Sequence, residues 1–239
     1  MTKKQVFNIK QEIEDKRELI TSLLHRKAKH IDDIAWIKGE FVNETMILNQ
    51  CPDSELRNSI SGTFISNIGS TWDMIVSRRN IATIEIHDIM DIHRSLANNT
   101  DDVVPGDIRF CSAYSEQLAI QIPAVANMDV MCQKISNVLY KMNTSKAPIL
   151  QRAFDVHYEL IELQPFADFN KRTARMLMNW FLISRDYRPI VFNDRNDHKE
   201  YMLALRKCAH GDKRSYYNYM YKCMSRSQDL FIEKLRNSR

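Results

Sequence analysis

Turn-forming residues are scarce in this chain: five glycines and six prolines serve 239 residues. A β sandwich or barrel needs a tight turn at the end of nearly every strand. The scarcity therefore argues against both and favours long helices. Cysteine is sparse as well. Cys51, Cys111, Cys132, Cys208 and Cys223 are odd in number, and no two are spaced C-x-x-C. They form neither a disulfide framework nor a zinc site and read as reduced packing residues of a cytosolic protein. The seven histidines are equally dispersed. No apolar run reaches the length of about 20 residues that crosses a bilayer. The strongest run, Met176 to Ile183, is interrupted by Asn179. No apolar core follows the lysines of Met1 to Lys10, so no Sec-type signal is visible. The expected location is cytoplasmic, with secretion as an effector through a specialised signal also compatible. Excess charge is lacking too. A net charge of +4, with acids and bases interspersed, is too mild to imply nucleic acid. No internal repeat or low-complexity segment is present.

What is present is helical periodicity. Gln5 to Lys29 carries Ile9, Ile13, Ile20, Leu23 and Leu24 on one side. Asp32 or Asp33 can cap a second helix holding Ile34, Ile37 and Phe41. After the break Cys51-Pro52-Asp53-Ser54, a third helix runs from Ser54 past Ile68, with Gly62 and Gly69 leaving its length open. Thr83 begins a helix with Ile84, Ile86, Ile89, Met90, Ile92 and Leu96 on its buried side. Further helices are expected over Met128 to Met142, Ala147 to Leu163, Lys171 to Arg185, Asp197 to His210 with Gly211 as C-cap, and Ser215 to Leu235. Strand signal is confined to the stretch after Pro105-Gly106, a turn dipeptide. Ile108 to Tyr114 and Leu118 to Ile122 are the candidate arms of a hairpin. The expected fold class is mainly all-α, a helical bundle with one short β-hairpin.

The stretch Leu163 to Arg175 organises the rest. An apolar helical pattern runs into it and another runs out through Met176, Leu177, Trp180 and Phe181. Pro165 disfavours helical geometry at Gln164, so the first helix should stop there. Asn170 can cap the second helix, which puts Lys171 and Arg172 in its first turn. Cations are unfavourable at the positive end of a helix. The cluster makes sense if free N–H groups, Arg172 and Arg175 converge on a phosphate. Asp168, just before the cap, is then placed to hold a divalent cation bridging such phosphates.

This turn resembles the signature of the Fic (Fido) family, His-Pro-Phe-x-Asp/Glu-Gly/Ala-Asn-Gly/Lys-Arg-x-x-Arg. Most members transfer AMP from ATP to a hydroxyl of a target protein. Pro165, Phe166, Asp168, Asn170, Lys171, Arg172 and Arg175 fall on the motif. The resemblance covers about residues 75–225. It implies a helical extension over 1–74, a Fic core over 75–225 and the end of a C-terminal helix over 226–239. It also implies ATP or another nucleotide with Mg²⁺, bound by Phe166, Asn170, Lys171, Arg172, Arg175 and, for the metal, Asp168. The Pro-Gly-x-x-Arg stretch, with Ile108, Arg109, Tyr114 and Ile120, corresponds to the flap over the active site. A target or partner protein is implied, nucleic acid and membrane are not, and a homo-oligomer stays open.

Departures from the motif carry the functional argument. Gln164 stands where the family has its catalytic His, and an amide cannot act as a general base near neutrality. Phe169 stands where Gly or Ala is usual and puts a bulky side chain beside the anion cradle. The Asn170-Lys171-Arg172 triplet also occurs in a Doc-like branch that transfers phosphate. Many relatives carry an inhibitory helix whose Glu pairs with the last arginine of the motif. The segment from Thr45 to Gln50 resembles it, with Asn49 at the Glu position, so base and brake are both absent. Three readings follow: a nucleotide-binding protein with weak or absent AMP transfer, a non-catalytic interaction module, or an active AMP- or phospho-transferase.

Overall fold

The computed structural model describes residues 2–26, 38–40, 62–100, 103–115, 118–192 and 196–237. The described elements are, in chain order, α1 (Lys3–Arg26), α2 (Gly62–Ser77), α3 (Ile86–Leu96), β1 (Ala113–Ser115), β2 (Ile120–Ile122), α4 (Met128–Thr144), α5 (Ile149–Leu163), α6 (Asn170–Ile183), α7 (Asp197–Ala209) and α8 (Lys213–Asn237). The mainly all-α expectation with one hairpin is borne out.

α6 is the axis of the bundle. Twelve of its fourteen residues are buried, and a helix enclosed on nearly all sides belongs at the centre of a fold. α5, α3 and α2 pack on it, α4 lies against α5 and α3, α7 and α8 pack together, and α1 runs along α8. Trp72 of α2 and Trp180 of α6 are fully buried. The Trp180 indole N–H donates to the Arg78 carbonyl at 3.1 Å, which satisfies its one polar atom. Asn179, the residue that interrupts the apolar run, is also fully buried. Its amide accepts from the Ile190 N–H at 2.8 Å and donates to the Ile190 carbonyl at 3.1 Å. Ser227 of α8 accepts from the Val191 N–H at 2.9 Å. The extended segment 188–192 thus crosses the core with its backbone held by side chains in place of a neighbouring strand.

Two expectations shift. The helix expected from Thr83 begins at Ile86, because the Asp88 carboxylate accepts from the Glu85 N–H at 2.8 Å and makes Glu85 the cap. The hairpin is shorter than its candidate arms. β1 and β2 pair antiparallel only over Ala113↔Ile122, Tyr114↔Gln121 and Ser115↔Ile120. Ile108 instead forms an isolated antiparallel bridge with Phe166. Ile108 and Arg109 are therefore the tie between hairpin and motif, and Tyr114 and Ile120 belong to the hairpin itself. The expected second helix, the break at Cys51, and the pair Thr45 and Asn49 fall largely or wholly outside the described residues.

Candidate functional site

The motif is a short loop between α5 and α6, fastened at several points. α5 ends at Gln164, which takes a left-handed conformation with φ 44°. The carbonyls freed at that end are collected by one residue. Arg109 donates through Nε to the Gln164 carbonyl, through one terminal nitrogen to Cys111 and Pro123 at 2.6 and 3.2 Å, and through the other to Leu163 at 3.0 Å. Its backbone N–H also donates to the Pro165 carbonyl at 3.0 Å. Arg109 is buried, and burial lowers its pKa. The root of the flap and the start of the motif are therefore one hydrogen-bonded unit.

Phe166 anchors the loop below. It is fully buried and stacks on His93 of α3, with ring centroids 3.8 Å apart and planes 6° from parallel. The Asn170 amide closes the loop from above. It accepts from the Phe166 N–H and donates to the Phe166 carbonyl, both at 2.9 Å. This corrects the expected N-cap. Asn170 is the first helical residue, the cap position is Phe169, and no side chain caps the helix. Phe169 is left-handed, with φ 60° and ψ 5°, a conformation uncommon for a bulky residue. The backbone turns so that its ring is buried, packing edge-on against His93 at 6.2 Å and against Phe64 at 6.1 Å. The aromatic side chain expected beside the cradle does line the cavity above the loop, but most of its ring is buried against its neighbours.

Above the loop lies a cavity of about 250 Å³ lined by the motif's polar residues, Gln164, Asp168, Asn170, Lys171, Arg172 and Arg175. Phe166 does not line it. Asp168 is exposed, and its Oδ1 accepts from the Phe169 N–H at 2.6 Å. Among the described residues no group of three or more His, Cys, Asp or Glu is placed to hold a metal. A divalent cation here would rest on Asp168 and on oxygens of its ligand, as Mg²⁺ with nucleotide phosphates does. Burial pulls the Arg172 pKa down to about 10, with Asp168 opposing and Arg175 adding to the effect. The arginine therefore stays charged at neutral pH.

Tyr201 and Met202 of α7 also line the cavity. The sequence reading missed both, because the motif ends at Arg175 and no spacing links α7 to it. The Tyr201 hydroxyl meets His157 Nε2 at 2.9 Å, and His157 Nδ1 meets the Tyr216 hydroxyl at 2.6 Å. Tyr216 gives its own proton to the Phe154 carbonyl at 2.9 Å. His157 must then donate through Nδ1 and accept from Tyr201 through Nε2. Burial, with Arg175 adding to it, lowers its pKa to about 3, so it is a neutral structural group and not a base for the cavity. Glu162 accepts from the Tyr158 hydroxyl at 3.1 Å and lines a different pocket.

His93 is buried and neutral too. Its Nδ1 accepts from the Gly106 N–H at 2.8 Å, and among the described residues its Nε2 makes no hydrogen bond of ordinary geometry, with the Asp168 backbone as its polar neighbour. Burial lowers its pKa to about 4, against the pull of Asp168. Both folded-state values lie below the unfolded value of about 6.5. The unfolded chain then binds more protons, and stability present above pH ~6.5 is lost as pH falls toward 4, at up to about 1.4 kcal/mol per pH unit for each histidine. The urea midpoint is expected to drop between pH 7 and pH 5. A flat profile over that range would show that neither ring is held neutral by burial.

Comparison with known proteins supports the same identity. A family model described as the Fic/DOC family matches residues 83–182. A protein adenylyltransferase Fic from Nematostella vectensis is 29% identical over 153 residues, covering 63% of this chain and 34% of the relative. One from Culex quinquefasciatus is 26% identical over 159 residues, covering 66% and 31%. The matched stretch thus spans about a third of the length of these curated relatives. Among solved structures, Fic-1 from C. elegans superposes with a TM-score of 0.74 at 19% identity, covering 97% of this chain and 74% of that one, a likeness of fold. Among the described residues no helix is long and apolar enough to cross a membrane.

Proposed function

The chain belongs to the Fic/DOC family, and from that premise we propose that it binds a nucleoside triphosphate with Mg²⁺, ATP foremost, with AMP transfer to a protein hydroxyl held to a low rate by Gln164. The observation that supports this reading is the single cavity into which Asp168, Arg172, Arg175 and the uncapped start of α6 are gathered. An anion is favoured there by the helix dipole and by arginine donors. Mg²⁺, when bound, neutralises phosphate charge and orients the phosphoryl oxygens. Arg172 and Arg175 then position the phosphate chain, and the Asn170 bonds to Phe166 keep the loop from collapsing into the space.

Transfer requires a target hydroxyl to attack the α-phosphorus while pyrophosphate leaves, and the hydroxyl proton must go to a base. Gln164 lines the cavity where the family places that base. Its amide can hold a hydroxyl by hydrogen bonding but cannot take its proton. His157, the nearest histidine in the chain, is sealed between Tyr201 and Tyr216. The proposal is a nucleotide site with its general base removed.

Magnesium dependence tests it. Equilibrium dialysis with radiolabelled ATP should show binding that strengthens with Mg²⁺ and weakens with EDTA. In Asp168→Ala the two conditions should converge. Undiminished magnesium dependence in that variant would show that Asp168 holds no metal.

A further inference from the structure

Arg172 is a cation held by rings. Its guanidinium carbon lies 4.6 Å from the centroid of Phe64 and 4.5 Å from that of Phe169. The two rings are 6.1 Å apart and tilted by 49°, an open V with the cation in its mouth. Among the described residues no hydrogen bond or ion pair engages the Arg172 N–H groups. The position is otherwise hostile to a cation, since it lies in the first turn of α6, at the positive end of the helix dipole. The negative faces of two aromatic rings offset that.

The two rings have different origins. Phe169 belongs to the motif and stands where Gly or Ala is usual. Its left-handed backbone is what brings the ring beneath Arg172. Phe64 comes from α2, outside the stretch 83–182 that matches the family model. Their chemistry is the same. A ring face engages the charge of a guanidinium without occupying its N–H donors, whereas a carboxylate partner would consume them. An arginine without such support samples many rotamers and must be ordered when its ligand arrives.

We propose that Phe64 and Phe169 are positioning residues that hold Arg172 in the cavity with its donors available, so that α2 sets the affinity of the site for a phosphate-bearing ligand. The proposal rests on the nucleotide reading of the cavity. Preorganisation lowers the ordering cost of binding and leaves the contacts themselves unchanged. It also makes Phe64 the point at which a displacement of α2 would be felt as a change in nucleotide affinity.

Two readouts on the full chain test it, one without ligand. In protein labelled with ¹⁵N-arginine, the Arg172 Nε–H resonance, assigned by its loss in Arg172→Lys, should show a ring-current shift that Phe64→Leu reduces and Phe64→Tyr keeps. In calorimetric titrations with Mg²⁺–ATP, Phe64→Leu should weaken binding about threefold to tenfold, the range for one rotamer-rich side chain left to be ordered on binding. Phe64→Tyr, which keeps the ring face, should stay within about twofold of wild type. A thermal midpoint for each variant separates this effect from loss of folding. Equal ATP affinity in Phe64→Leu and wild type, or an Arg172 resonance that ignores the substitution, overturns the positioning role and leaves the nucleotide reading standing. Absence of ATP binding by wild type overturns the nucleotide reading, and the phosphate role of the ring pair falls with it, whatever the resonance does.

Discussion

Gln164→His is expected to raise AMP labelling of protein by about 10²–10⁴-fold, the usual contribution of a general base with a pKa near working pH. The structure makes the exchange feasible. Gln164 has φ 44°, and histidine tolerates that region better than most side chains. The backbone bonds at this position, the N–H to Leu160 and the carbonyl from Arg109, do not involve the side chain. The new imidazole would enter the cavity beside Asp168 and Arg172. The check is incubation of wild type and variant with ATP labelled on the α-phosphate, alone and with cell lysate. Background labelling by a folded Gln164→His variant that still binds ATP would move the blame from the missing base to Phe169, which stands where Gly or Ala is usual, and to the Lys171 side chain at the start of α6.

The second large effect is structural. Arg109→Ala removes one guanidinium that serves four carbonyls, from Leu163, Gln164, Cys111 and Pro123. Hydrogen bonds to a charged group contribute about 1.5–3 kcal/mol each, and these acceptors lie partly buried. Non-additivity within one network limits the total, so a loss of about 3–5 kcal/mol is expected. For a chain of this size that lowers the thermal midpoint by roughly 10 °C. Arg109→Lys should recover only part of it, because an ammonium offers three donors and cannot span the two sides of the tie. The flap should also loosen, with faster amide exchange in β1 and β2 than in α6. A midpoint within about 2 °C of wild type would show that the carbonyls find water equally well.

Much of this was legible in the sequence, for identifiable reasons. Pro165 stopped α5 where expected, because the residue before a proline avoids helical geometry. The apolar stripe of α3 and the apolar run from Met176 to Ile183 in α6 told which helices are buried. Asp168, Arg172 and Arg175 do share one cavity, since spacing along a helix start fixes direction well. What was not legible depends on conformations that propensity disfavours or on partners distant in the chain. Asn170 read as a cap because its amide can bond a nearby N–H either way. The left-handed turn at Phe169 directed that amide to Phe166 instead. The same turn buried most of the Phe169 ring while leaving it at the wall of the cavity. Phe64, His93 and Tyr201 meet the motif only through tertiary packing, and no local pattern connects them to it.

The central claim is that the cavity over α6 is a nucleotide site governed by Arg172. Calorimetric titration of wild type and Arg172→Ala with Mg²⁺–ATP tests it most directly. The account predicts saturable binding at one site per chain, weakened in Arg172→Ala by about 1.5–3 kcal/mol, the range for a hydrogen bond to a charged group. No saturable heat with wild type, or the same affinity in both proteins, would contradict it.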